Sequence, residues 1–403
     1  MPTQTQSQKT FCKYVLLSLC ALSMAGCLRP YRNSVFDPPT AQFPGIISQW
    51  GGTSGSNIRV LFVHGMCSHT EANWITAGWD VVIKGYFPAE TMTEAAHSTV
   101  GQVQIVDHDY QIGPNKLAGR FLIWSPLTTA DKARLNFDNP PGYSGPPIFT
   151  GGQFTWKRAT LNSDLKSSLL NDCLSDAIIY AGYRGADIQT SMQNAICAAL
   201  DGTSTNNTCV FPATYGHGSR KIAIVTESLG SRMVFDAISA LKLEAQGRSP
   251  AALAAFDEAV SPITQIYMLA NQLPLFALAR PAPAPAVAGL DVSASPTPSM
   301  TTALGVLSEA RARHRAKQSL DAQRSMVEAP LSLVAFSDPN DLLSYRIPPN
   351  DTAIVGNGTT VVNVITSNAD SYFGYVENPY PAHTAYNQNP DAVRLLFGGS
   401  IKE

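Results

Sequence analysis

Short apolar runs alternate with longer segments of helical periodicity along most of this chain. The apolar runs are rich in β-branched and aromatic residues, which is typical of buried strands. They span residues 58–63, 121–125, 221–225, 264–270 and 331–336. Helical segments cover residues 161–182, 187–200, 231–243 and 390–397. Strands that alternate with helices predict an α/β fold, with a mostly parallel central sheet and helices on both faces.

The run that begins at Lys221 ends in Thr226-Glu227-Ser228-Leu229-Gly230, and a helical segment follows directly. A serine on a sharp strand-to-helix turn needs small neighbours two residues to either side, because the backbones come close together there. Gly230 meets this requirement, whereas Thr226 stands where the usual Gly-x-Ser-x-Gly pattern has its first glycine. The segment predicts a nucleophile elbow with Ser228 at its tip, and an ordinary turn is the alternative.

Three other segments occur around this serine in a definite order. His64-Gly65-Met66 ends the first apolar strand, and Asp338 and Asp341 follow the strand at 331–336. The run Ala382-His383-Thr384-Ala385-Tyr386 lies near the C-terminus. The order of oxyanion loop, serine, acid and histidine resembles the α/β-hydrolase superfamily over about residues 55 to 400. The acid and histidine segments are most similar to its lipase and esterase branches.

The resemblance implies a role for each polar residue. Ser228 would attack an acyl carbon, and His383 would take its proton, because imidazole has a pKa near neutrality. Asp341 is the preferred acid for holding His383 in one tautomer, since it is followed by a Leu-Leu-Ser…Pro pattern, and Asp338 is the alternative.

The same resemblance predicts that the backbone N–H groups of Met66 and Leu229 bind the negative oxygen formed during acyl transfer. No cofactor and no metal is implied. We therefore expect an α/β-hydrolase fold that cleaves carboxylic esters, as a carboxylesterase or lipase-like enzyme acting on an ester or lipid substrate. A peptidase or thioesterase of the same fold, and a non-catalytic envelope lipoprotein, are the alternatives.

The N-terminus predicts export and a lipid anchor. Lys9 and Lys13 precede an apolar run at 14–26, which is too short to cross a bilayer but typical of a signal peptide. The run continues into Leu22-Ser23-Met24-Ala25-Gly26-Cys27, which resembles a bacterial lipobox. We therefore predict lipidation of Cys27, and ordinary signal cleavage with release is the alternative.

This interpretation divides the chain into three parts. Residues 1–26 are the predicted signal peptide, 27–50 a lipid-anchored tether rich in Pro, Ser and Gln, and 51–403 the hydrolase domain. Leu28 stands where an aspartate would resemble an inner-membrane retention signal. The predicted location is therefore the bacterial cell envelope, at the outer membrane, facing the periplasm or the outside.

Composition and cysteines agree with an exported globular protein. Of 403 residues, 44% are hydrophobic and 14% charged, enough for a large core, and the net charge of −2 gives no indication of a nucleic-acid partner. Four of the seven cysteines follow the anchor, which is compatible with two disulfides. A short polar loop favours the pair Cys197 and Cys209, and leaves Cys67 and Cys173 joined or free.

The segment at 280–327 has a different composition from its surroundings. Its first part is dominated by Ala, Pro and Ser, and its second part is helix-prone with a basic run at Arg311, Arg313, Arg315 and Lys317. This composition, between two predicted strands, predicts a low-complexity insert. Hydrolases often carry a lid at such a place. A lid, a surface excursion and a basic surface for anionic lipid headgroups are its three interpretations.

Overall fold

The computed structural model describes residues 27–28, 34–51, 55–143, 150–215, 221–279, 297–317, 330–348, 358–372 and 376–400. The predicted signal peptide at 1–26 lies outside the described residues, as do 280–296 and 318–329 of the predicted insert. Within the described ranges, no helix combines the length and the apolar character needed to cross a membrane.

One large sheet organises the structure. The strands are β1 Cys27–Leu28, β2 Val35–Asp37, β3 Asn57–Val63, β4 Thr91–Val100, β5 Val103–Ile112, β6 Asn115–Ile123, β7 Thr203–Thr205, β8 Thr208–Val210, β9 Ile222–Glu227, β10 Ile263–Leu269, β11 Leu331–Ser337, β12 Thr359–Ile365, β13 Ser371–Tyr372 and β14 Val376–Glu377. Nine of them form a sheet in the order β2-β12-β11-β10-β9-β3-β6-β5-β4. The strands from β12 to β6 run parallel, while β2, β5 and β4 are antiparallel at the edges. The prediction of a mixed α/β fold with a mostly parallel sheet is confirmed. The expectation of a tether at 27–50 is wrong for residues 35–50, because β2 joins the sheet and Phe43 and Ile46 are fully buried in the core.

Helices connect and cover the strands. The α-helices are α1 Asp80–Tyr86, α2 Thr129–Ala133, α3 Thr160–Asp164, α4 Ser175–Ala181, α5 Gly185–Ala199, α6 Leu229–Arg248, α7 Pro250–Val260, α8 Leu273–Ala279, α9 Pro298–Ala316, α10 Pro379–Thr384 and α11 Pro390–Gly398. Two π-helical segments, Glu71–Trp79 and Leu165–Leu174, and 3-10 turns at Ile46–Trp50, Ser125–Leu127, Asn136–Asp138 and Tyr386–Gln388 complete the order. The single helix predicted at 161–182 is therefore three consecutive helical pieces.

The sheet is packed on both faces, as parallel strands require. In β3, Leu61 and Val63 pack into one hydrophobic cluster, while Val60 and Phe62 pack into the cluster on the other face. Because every second side chain points to the same face, an uninterrupted apolar run buries both sides of the strand. This explains why the central strands are recognisable from the sequence.

Helix α9 corrects the interpretation of the predicted insert. Met300, Leu304 and Leu307 are fully buried and belong to the same cluster as helices α6 and α7. Their spacing of three and four residues places them on one apolar stripe of the helix. The average hydrophobicity of the segment does not reveal this stripe, because Ala, Ser and Thr are frequent in it. Arg313 of the basic run pairs with Asp257 at 2.8 Å, whereas Arg315 and Lys317 are exposed. The expectation of a lid or surface excursion is therefore wrong for this helix, which is part of the core.

Both disulfides expected as possible are formed. Cys197 bonds to Cys209, the pair favoured by its short polar loop. Cys67 bonds to Cys173 across 106 residues, which decides between the two alternatives left open for this pair.

Candidate active site

The predicted site residues meet at the carboxyl ends of the parallel strands. Ser228 follows β9, Met66 lies just beyond β3, Asp341 follows β11, and His383 comes from helix α10. In open α/β sheets, this edge is where ligands bind, because the loops that leave the strands converge there.

Ser228 is held at a sharp turn between β9 and α6. Its backbone has φ 51° and ψ −121°, a conformation with positive φ that costs a non-glycine residue about 1–3 kcal/mol. Its N–H donates to the carbonyl of Leu269 at 2.7 Å, which ties the turn to strand β10. The geometry is that of the predicted elbow rather than that of an ordinary turn.

Glycine is required at two places around the turn. A Cβ on Gly230 would lie 2.6 Å from the carbonyl oxygen of His64, and one on Gly65 would lie 2.7 Å from the Cβ of Ser228. Thr226, in contrast, fits inside the sheet, and its hydroxyl pairs with that of Ser231 at 2.8 Å. The departure from the usual pattern is accommodated because a threonine there has both space and a hydrogen-bond partner.

The serine, histidine and acid form one chain of hydrogen bonds. His383 Nε2 lies 3.1 Å from Ser228 Oγ, and His383 Nδ1 lies 2.8 Å and 2.9 Å from the carboxylate oxygens of Asp341. All three side chains are buried. When Nδ1–H donates to Asp341, the lone pair of Nε2 faces the serine hydroxyl, which is the arrangement that a general base needs.

Asp338 occupies a different position from Asp341. Its carboxylate accepts from the backbone N–H groups of Asn340 at 2.8 Å and Asn368 at 2.6 Å, so it caps the turn after β11. Asp341 accepts instead from His383 and from the hydroxyl of Tyr386, at 3.0 Å. Of the two acids considered from the sequence, Asp341 is the one that contacts the histidine.

Met66 and Leu229, the two residues predicted to bind the oxyanion, both belong to segments next to Ser228. Leu229 is the first residue of α6, and the first N–H groups of a helix have no partner within it. Met66 lines the cavity beside Ser228, and Gly65 brings its loop against the serine. Their role in binding a negative oxygen stays a prediction.

His64 has a structural position next to this loop. Its Nδ1 donates to the carbonyl of Gly65 at 2.7 Å, and its Nε2 accepts from the backbone N–H of Trp124 at 2.9 Å. Burial lowers the pKa of His64 well below its usual value, so the ring is neutral. It therefore fixes the path of the chain at the end of β3.

A buried ionic cluster holds the loop at 64–69, which we call the oxyanion-side loop. Asp176 accepts from the backbone N–H of Cys67 at 2.8 Å, and Asp172 accepts from that of Ser68 at 3.1 Å. Lys132, fully buried, pairs with both carboxylates at 3.1 Å and 3.2 Å. Sequence reasoning missed this cluster, because nothing local connects Lys132 with Asp172, 40 residues away, or Asp172 with Ser68, 104 residues away.

A cavity of about 480 Å³ opens beside Ser228, and its lining contains a carboxyl group that sequence reasoning did not consider. Glu227 accepts from the indole N–H groups of Trp74, at 3.1 Å and 3.2 Å, and Trp79, at 3.0 Å. Burial raises the pKa of Glu227 to about 7. The sequence signal that could have indicated Glu227 is its position directly before Ser228, since both residues line the same cavity.

The described residues offer one group with the spacing of a metal site, Cys67, Asp172 and Cys173. Both sulfurs belong to the Cys67–Cys173 disulfide, and a disulfide sulfur is not the thiolate that a metal binds. This group does not fit a metal ion.

Comparison with protein families, with curated proteins and with solved structures finds no match for this chain.

Proposed function

We propose that this protein is a serine hydrolase with an α/β-hydrolase fold that cleaves carboxylic esters. The observation that carries the proposal is the continuous hydrogen-bond chain from Asp341 through His383 to Ser228, at a strained strand-to-helix turn. Burying an acid, an imidazole and a hydroxyl costs free energy, and such groups are concentrated at functional sites. A non-catalytic role for the fold would leave this arrangement unexplained.

The chemistry follows from the contacts of each group. As Ser228 Oγ bonds to the acyl carbon, His383 Nε2 takes its proton, and Asp341 stabilises the resulting imidazolium. The backbone N–H groups of Met66 and Leu229 bind the oxygen of the tetrahedral intermediate. His383 then gives its proton to the leaving alcohol, which leaves an acyl-enzyme. Water attacks the acyl carbon as His383 takes its proton, and His383 returns that proton to Ser228 Oγ as the acid is released.

An ester is the proposed substrate because the motif order is most similar to lipases and esterases, although the same steps would cleave a thioester or an amide. Apart from the substrate and one water molecule, the steps use only side chains and backbone groups of this chain. The proposal also includes a lipid anchor at Cys27, which would hold the enzyme at a bacterial envelope membrane.

A fluorophosphonate probe tests the catalytic proposal directly. It should label the protein, peptide mapping should place the label on Ser228, and Ser228→Ala should not be labelled. Labelling of the variant to the same extent as the parent would contradict the proposal.

Mass spectrometry of the mature N-terminus tests the anchor separately. We expect a lipid-modified Cys27, and the variant Cys27→Ser should lose membrane association. An unmodified N-terminus at another residue would contradict the predicted lipidation.

A further inference from the structure

Glu227 lies at the junction of the nucleophile and the cavity. It is the last residue of β9, directly before Ser228, and part of its side chain faces the cavity. Oε1 accepts from both Trp74 and Trp79, whereas Oε2 accepts only from Trp74, at 3.1 Å. A carboxylate oxygen can accept more than one hydrogen bond, so Oε2 keeps capacity for a donor in the cavity.

Among the described residues that line the cavity, no Lys or Arg provides a counter-charge for Glu227. Indole N–H groups are neutral, so the two tryptophans satisfy lone pairs without cancelling a negative charge. The other carboxylate in the lining, that of Asp172, is already paired with Lys132.

Buried carboxylates in proteins are normally paired with a cation or neutralised. Glu227 lacks a described cationic partner, and burial raises its pKa to about 7. The ring of His383 also faces the cavity, but its two nitrogens already contact Asp341 and Ser228. In its ionised form, above about pH 7, this carboxylate has no cation beside it in the cavity lining, and a positively charged ligand would supply that partner.

We infer that the substrate carries a protonated amino group close to the scissile ester bond, and that Glu227 binds this ammonium group. The inference rests on the proposed ester hydrolysis at Ser228. Glu227 adjoins the nucleophile in sequence, so the cation would lie on the acyl or the alcohol part near the reacting carbonyl. The two tryptophans would hold the carboxylate in place, so that it is ordered before the substrate arrives.

Two pairs of esters test the inference on the full chain. p-Nitrophenyl alaninate and p-nitrophenyl isobutyrate differ by an ammonium in place of a methyl group on the acyl side. The acetates of 3-aminopropanol and butanol differ in the same way on the alcohol side. For each ester, kcat/KM is divided by the rate constant of spontaneous hydrolysis, which removes differences in intrinsic reactivity.

A hydrogen bond to a buried charged group changes affinity about 10- to 100-fold. We therefore expect the ammonium member of at least one pair to be preferred by at least about tenfold. Glu227→Gln should bring that ratio close to one. The control Glu71→Gln, whose carboxylate contacts His97 and lies outside the cavity lining, should keep the ratio of the parent.

A second measurement does not depend on the folding of a variant. Propylammonium should inhibit hydrolysis of p-nitrophenyl isobutyrate by the parent protein competitively, at concentrations at which propanol does not inhibit. Equal inhibition by the two compounds would count against a cation site.

Ratios near one in both pairs, with the neutral esters hydrolysed, would overturn the inference. It would also be overturned if Glu227→Gln lowered kcat/KM for both members of a pair equally, since Glu227 would then act on His383 or support the tryptophans. Failure of the proposed function gives a different result, in which no ester is hydrolysed and the probe does not label Ser228.

Discussion

The two walls of the site that flank Ser228 are held by different kinds of interaction. The oxyanion-side loop at 64–69 is fixed by a disulfide, by two buried carboxylates and by Lys132. The segment at 379–388, which we call the base-side segment, consists of the short helix α10 and a 3-10 turn. One wall is therefore held by covalent and ionic links, and the other mainly by hydrogen bonds.

The contacts of the base-side segment make this difference concrete. Asn368 donates to the carbonyl of Ala382 at 2.9 Å. The Tyr386 hydroxyl donates to Asp341 and accepts from the backbone N–H of Asp338 at 2.7 Å. The oxyanion-side loop is thus linked to distant parts of the chain, while the position of His383 depends on a few polar side chains. Substitutions in the two walls should differ in whether they affect stability or turnover.

The largest effect on activity should come from substitutions that remove a reacting side chain and leave both walls intact. Ser228→Ala and His383→Ala should each lower kcat/KM by at least about a thousandfold, because residues of a triad act as a unit. Ser228→Ala should leave the melting temperature nearly unchanged, since alanine adopts the same backbone at the same cost. Ester hydrolysis and thermal unfolding check this. Substantial activity in either variant would show that another residue carries the reaction.

The next effect separates the two acids. Asp341→Asn should lower kcat by about 10³- to 10⁴-fold with the fold intact, because the imidazole is no longer held in the productive tautomer. Asp338→Asn should act mainly on stability, since Asp338 caps a turn. Turnover and melting temperature of both variants provide the test. The opposite pattern would mean that Asp338 serves His383 and that the choice of Asp341 was wrong.

On the other wall, Lys132→Met should act on stability. The substitution leaves the carboxylates of Asp172 and Asp176 buried without their cation, which typically costs about 3–5 kcal/mol. Denaturant unfolding measures this loss. A matched control is Arg184→Met, which removes a more exposed pair with Asp131 and should cost about 1 kcal/mol or less. Equal losses in the two variants would contradict the assignment of a fixed oxyanion-side loop.

The smallest effect concerns the pH dependence of stability. Glu227 has its pKa raised to about 7, from a usual value of 4.5, with burial as the main cause. Between these values the folded protein holds a proton that the unfolded chain releases, so this group makes folding less favourable as pH rises from about 4.5 to 7. Glu227→Gln lacks this titration. The melting temperature of the variant should therefore rise relative to that of the parent between pH 5 and pH 7.5. A difference that stays constant with pH would contradict the proposed titration.

The features that could be predicted are those that neighbouring residues in the sequence determine. The strands β3, β9, β10 and β11 were recognisable because a parallel strand buries both faces and leaves an apolar run. The elbow was recognisable because a close backbone approach restricts residue size at Gly230. The order of the motifs then brought Ser228, Asp341 and His383 into one hypothesis, and the structure puts them in hydrogen-bond contact.

Other features depend on contacts that the sequence does not display. Lys132 and Asp172 form an ion pair between distant segments, and neither has a neighbour in sequence that indicates the other. Strands β4 and β5 carry polar residues, and their antiparallel pairing was not predicted. Helix α9 was misjudged because its many Ala, Ser and Thr residues lower the average hydrophobicity, although Met300, Leu304 and Leu307 pack in the same cluster as α6.

Thr226 bears on the sequence pattern by which a serine at a strand-to-helix turn is recognised. The usual search pattern demands glycine at this position, but in this chain the side chain is buried and hydrogen-bonded to Ser231. The strict steric requirement applies to Gly230 and Gly65, where an added carbon would meet a neighbour at 2.6–2.7 Å. A search that fixes the glycine after the serine and accepts any small hydrogen-bonding residue before it would retrieve chains of this kind, which the glycine-only pattern passes over.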